Sequence, residues 1–102
     1  MKKLLLLKHI KSKIIMAMYF KNEEKAYNWW VNFLASEEWE IIHEGERERS
    51  GHRWETIYSK FDEQGLLYTR YIICFSKKEA VFLSQKIKKE NPIYIVEYKK
   101  IY

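Results

Sequence analysis

Glu44, Glu46 and Glu48 alternate along one stretch, and in an extended chain alternate side chains share a face about 7 Å apart. Three carboxylates so placed are donors of the kind that hold a divalent cation or serve as an acid/base pair. His43 and His52 flank them and, with Glu44, add the nitrogen donors that zinc takes. The same stretch carries Arg47, Arg49 and Arg53, so cross-strand ion pairing on a solvated hairpin accounts for these residues without any chemistry. No His-Glu-x-x-His spacing and no cysteine pair accompany the acids. Gly45, Gly51 and Gly65 are isolated turn or bulge residues, which excludes a glycine-rich phosphate loop. The only aspartate, Asp62, lies in a turn, so no Ser–His–Asp set assembles. The sequence therefore leads us to expect no enzyme, no cofactor and no metal. A metal-dependent nuclease or hydrolase centred on Glu44, Glu46 and His43 is the last-ranked alternative.

The lone cysteine, Cys74, falls inside an apolar run and reads as a small buried side chain. It cannot form an internal disulfide, which fits a reducing compartment and a cytoplasmic location. Of 19 Lys and Arg, Lys2, Lys3, Lys8, Lys11 and Lys13 precede Ile14, and no acid lies before Glu23. From Ile14 onward 14 basic residues face 14 acidic ones, so the formal charge of +5 belongs to the first 13 residues. Residues 1–13 read as a basic N-terminal arm, whether helical, an added strand or frayed, ahead of one neutral domain over 14–102. The apolar run Leu4–Leu7 is too short for a secretory signal and far short of a bilayer span.

The elements that would position these groups follow from periodicity and punctuation. Residues 14–20 and 66–75 are rich in apolar, aromatic and β-branched side chains and read as strands. Asn22 with Glu23 and Glu24, and Ser76 with Glu79, are helix starts; the second helix must stop at Asn91-Pro92. The first helix should run to about Ser36, with Ala26, Trp30, Phe33 and Leu34 on its apolar stripe. Trp39–Arg49 and Arg53–Phe61 flank the turn Ser50-Gly51, Asp62–Gly65 is a second turn, and Ile93–Tyr102 is the last strand. Phe20-Lys-Asn-Glu-Glu-Lys-Ala26 and Phe75-Ser-Lys-Lys-Glu-Ala80 echo one another, which suggests two similar halves.

The order β-α-β-β-β-α-β is that of an α+β two-layer sandwich, a mainly antiparallel sheet of about five strands with two helices on one face. It resembles a ferredoxin-like arrangement with an extra strand. Alternation puts Ile57, Phe61, Leu67, Ile73, Phe75, Ile93 and Ile95 on one side. Trp54, Thr56, Tyr58, Tyr68, Arg70, Ile72, Tyr94, Val96 and Tyr98 fall on the other. If the aliphatic side meets the helices, Trp54, Tyr58, Tyr68, Tyr94 and Tyr98 form an open aromatic face, a surface of the type enriched at interfaces.

The expected function is a small non-catalytic module that binds a protein partner through those five rings. A short chain rich in Lys, Ile and Tyr suits an AT-rich bacterial or phage genome, where small proteins of this kind inhibit host or defence enzymes. A homodimer through the same face is the other protein contact it would support. The runner-up is a single-stranded nucleic-acid binder, with bases stacked on Tyr and Trp and phosphates held by the lysine arm.

Overall fold

A computed structural model describes residues 2–34, 38–47 and 54–101. Glu48, Arg49, Ser50, Gly51, His52, Arg53 and Tyr102 lie outside the described residues, as does the expected end of the first helix at Ser36. So do the side chains of Lys2, Phe33, Leu34 and Arg47.

The chain is an α+β fold with two antiparallel three-stranded sheets and two α-helices among the described residues. It divides into two compact units, Met1–Ser50 and Gly51–Tyr102. Each unit runs strand, strand, helix, strand, with its first strand in the middle. Where one sheet of about five strands is expected, the described residues form two sheets of three. The repeat hinted at by the two Phe-to-Ala stretches is visible in the caps. Asn22 Oδ1 accepts from the Lys25 N–H at 2.9 Å, Ser76 Oγ accepts from the Glu79 N–H at 3.2 Å, and the following Ala26 and Ala80 are both buried.

In the first unit, β1 (Lys2–His9) lies between β2 (Ile15–Phe20) and β3 (Trp39–Arg47), antiparallel to both. Of the helix, added strand or frayed end that the sequence allows for this segment, residues 2–9 take the strand, and it is the central one of its sheet. Leu4, Leu5, Leu6 and Leu7 are all buried, so the strand is apolar on both faces, and this explains a continuous rather than alternating run. Helix α1 (Glu23–Trp29) continues into one π-helical turn, Trp30–Leu34. Leu5, Leu7 and Ala26 form the core there, with Met16, Met18, Phe20, Trp29, Trp30 and Ile41 packed around them. The β1–β2 turn places Lys13 at φ 64°, a left-handed conformation that costs a side chain with a Cβ about 1–2 kcal/mol.

In the second unit, β4 (Trp54–Phe61) lies between β5 (Leu67–Cys74) and β6 (Ile95–Lys100), again antiparallel to both. Helix α2 (Lys77–Glu90) ends where Asn91 turns away; its N–H still bonds the Ile87 carbonyl at 2.9 Å, and its side-chain Oδ1 accepts from the Ile93 N–H at 3.1 Å. Ala80, Leu83, Ser84 and Ile87 make the buried side of the helix. Gly65 closes the β4–β5 turn at φ 82°, which suits glycine.

Candidate functional site

Pairing fixes the two faces of the second sheet, because residues directly opposite across an antiparallel ladder share a face. Thr56 is opposite Ile72 and Tyr98, and Tyr58 is opposite Arg70 and Val96. Thr56 Oγ1 donates to the Ala80 carbonyl at 2.9 Å, which places this whole set on the α2 side. The division of side chains between faces is as alternation suggests, but α2 covers the aromatic face rather than the aliphatic one.

Three of the five rings expected at an open surface consequently lie against α2 or within the layer beneath it. Tyr58 and Tyr94 are 2% and 3% exposed, and their rings meet edge to face at 5.4 Å. Trp54 is half-buried on the same side, with the Lys77 Nζ 5.9 Å from its ring centre and the Tyr98 ring 6.3 Å away. Only Tyr68 and Tyr98 are exposed, at the margins of that face. Small residues on the facing turns of α2, Ala80 and Ser84, leave room for large rings below. Ser84 Oγ also donates to the Ala80 carbonyl, at 2.7 Å. Lys88 Nζ donates to the Pro92 and Tyr94 carbonyls, both at 2.7 Å, and fastens the segment that carries Tyr94 to the helix.

The face away from α2 is where large apolar side chains reach solvent. Across the ladder Phe61 is opposite Leu67, Ser59 is between Thr69 and Ile95, and Ile57 is between Tyr71 and Glu97. Glu55 lies between Ile73 and Lys99, and it pairs with the Lys99 Nζ at 3.4 Å. Phe61, Leu67, Tyr71, Ile73 and Ile95 are each more than two-fifths exposed. Ile57 and Ser59, in the central strand between them, are buried, and the Ser59 and Thr69 hydroxyls bond at 3.0 Å. The result is an apolar and aromatic surface nearer the Asp62–Gly65 turn, bounded by the Glu55–Lys99 pair. Alternation groups Phe61, Leu67, Ile73 and Ile95 on this side, but the sequence expectation is that α2 covers it.

The remaining candidates take structural parts. Lys3 and Lys8 side chains are each only 13% exposed. Lys3 Nζ is 4.0 Å from Glu23 and 3.7 Å from Glu44, and Lys8 Nζ is 3.1 Å from Glu40. Lys11 and Lys13 are exposed in the β1–β2 turn. The lysines are therefore not one phosphate-binding set. Glu44 and Glu46 do share a face of β3, but Glu44 is engaged by Lys3. Among the described residues no group of three His, Cys, Asp or Glu side chains could hold a metal ion. A cavity of about 320 Å³ beside α1 has an apolar floor of Leu5, Ala26 and Trp30, with the Lys3 ion pairs at its rim. Cys74 is fully buried, with Thr56 Oγ1 3.7 Å from its Sγ.

No helix among the described residues is long and apolar enough to cross a membrane. No protein-family model, curated protein or solved structure matches the chain.

Proposed function

We propose that this chain is a non-catalytic protein-binding module whose contact surface is the face of the second sheet turned away from α2. The observation that carries the reading is the exposure of Phe61, Leu67, Tyr71, Ile73 and Ile95 together on one regular, hydrogen-bonded scaffold. Monomeric proteins seldom leave contiguous apolar surface in water without a use for it, and aromatic residues are enriched where partners dock. A hydrogen-bonded sheet holds such side chains in fixed spacing, so the ordering cost on binding is small. Occupying a surface of another protein, as an inhibitor of an enzyme does, needs nothing more than this. A cytoplasmic site of action accords with the single buried thiol, which is kept reduced there.

Nucleic-acid binding has less behind it. Lys3 and Lys8 are committed to carboxylates, and Tyr58 and Tyr94 offer no face on which a base could stack. The test is capture of a partner from bacterial lysate on the immobilised protein, compared between the wild type and Phe61→Glu with Ile95→Glu. Loss of one stoichiometric partner in the double variant, with retention in Tyr98→Ala, supports the surface. Equal capture by all three proteins removes it.

A further inference from the structure

The strand that carries most of the exposed apolar side chains is also an edge. No strand pairs with β5 on the side away from β4 among the described residues. The Asp62 N–H bonds the Leu66 carbonyl at 2.8 Å, which makes that pair a hydrogen-bonded one. Alternation along the ladder then makes Lys60–Tyr68 and Tyr58–Arg70 the bonded pairs between β4 and β5. The N–H and C=O groups of Leu67, Thr69 and Tyr71 therefore point away from β4, on the side where no described strand pairs.

Proteins blunt such edges with charge, and the other edges differ from β5 in this respect or in exposure. β3 carries Glu40, Glu44 and Glu46, and β6 carries Glu97, Lys99 and Lys100. β2 has no charge, but only Tyr19 of its side chains is exposed. β5 has eight residues and one charge, Arg70; Leu67, Tyr68, Arg70, Tyr71 and Ile73 are exposed, on both of its faces.

We propose that β5 pairs with β5 of a second copy of this chain, antiparallel, about a two-fold axis through Thr69. The sequence is self-complementary in this register. Thr69 lies opposite Thr69 of the second copy in a hydrogen-bonded pair, and Leu67 lies opposite Tyr71 on either side of it, so every outward backbone group from 67, 69 and 71 finds a partner. The intervening pair sets Tyr68 opposite Arg70, a ring against a guanidinium, twice over. No like charges meet. Threonine pairs and aromatic–aliphatic pairs are among the stabilising cross-strand combinations. The product is one six-stranded antiparallel sheet, with β6 at its two ends and both α2 helices on the same face. On the opposite face the exposed Leu67 and Tyr71 of the two copies become neighbours. The inference does not depend on the protein-binding role, since it concerns the edge of the sheet and not its face.

Sedimentation equilibrium on the full chain tests it, with two charge variants that report the register. Leu67→Lys with Tyr71→Lys sets lysine against lysine at both flanking pairs, whereas Leu67→Lys with Tyr71→Glu sets lysine against glutamate. Both positions are more than half exposed in the single chain, so either double variant is compatible with its fold. The expected result is a wild-type dimer, at least about tenfold weaker association in the first variant, and near wild-type association in the second. A monomeric wild type overturns the proposal. So does a dimer that both variants leave intact, or one that both disrupt to the same extent. An association with a different protein that leaves the chain monomeric also overturns it.

Discussion

Replacing Tyr94 by alanine removes a side chain that is 3% exposed, stacked edge to face on Tyr58 at 5.4 Å, with the Lys60 Nζ 6.0 Å from its ring. Truncating a buried aromatic residue costs about 3–5 kcal/mol, of which the ring–ring contact supplies about 0.5–1.5 kcal/mol. Against a typical stability of about 5–15 kcal/mol this is a large share. With a urea slope of roughly 1–3 kcal/mol per molar, the unfolding midpoint should fall by about 1 M or more. Tyr98, 42% exposed on β6 four residues further on, provides the internal comparison, and Tyr98→Ala should cost less than about 1 kcal/mol. The assay is equilibrium urea unfolding followed by far-ultraviolet circular dichroism on these two single variants, on Tyr58→Ala, and on Tyr58→Ala with Tyr94→Ala. Equal midpoints for the two single variants would refute the interior position of Tyr94. Strict additivity of Tyr58→Ala and Tyr94→Ala would refute the pairing of the rings.

Four further outcomes follow from the same geometry. A chain starting at Ile14 lacks β1, the middle of its sheet, and should lose the ordered first unit, which proton–nitrogen NMR spectra would show as collapsed dispersion for residues of that half. Lys13→Gly relieves a left-handed backbone at φ 64° and should raise stability by about 0.5–1 kcal/mol in the same urea assay. Thr56→Val keeps the volume but loses the bond to the Ala80 carbonyl; the expected loss is about 1 kcal/mol, since Ser84 still donates to that oxygen. Oligonucleotide titrations at low salt should show no affinity that Lys3→Gln and Lys8→Gln remove, because both lysines are already paired.

Much of the local structure is legible in the residues, and what is not has identifiable causes. Asn22, Ser76 and Asn91-Pro92 mark helix boundaries that the structure keeps, because capping depends on a few adjacent side chains. Alternation separates the faces of β4, β5 and β6 correctly, because it reflects the pleat alone. It does not say which face a helix will cover. In a strand–helix–strand connection that choice follows the handedness of the crossover and the size of the helix's inward residues, here Ala80 and Ser84, rather than aliphatic character. For residues 1–13 the sequence leaves helix, added strand and frayed end open, and the reason is different. Four consecutive leucines are the mark of a strand buried on both sides, but five surrounding lysines suggested solvent. Lys3 and Lys8 resolve the conflict by lying along the sheet and meeting glutamates from α1 and β3. Those partners are 20 or more residues distant in sequence, and nothing local announces them.

The central claim is that the second sheet buries its tyrosine-rich side beneath α2 and presents the opposite side to solvent. Its most direct test is covalent labelling of tyrosines by a small water-soluble reagent, read residue by residue by mass spectrometry on dilute protein. Tyr68, Tyr71 and Tyr98 should label rapidly, while Tyr58 and Tyr94 should be protected until the protein unfolds. Labelling of Tyr58 and Tyr94 at the rate of Tyr71 in the folded protein would contradict the account.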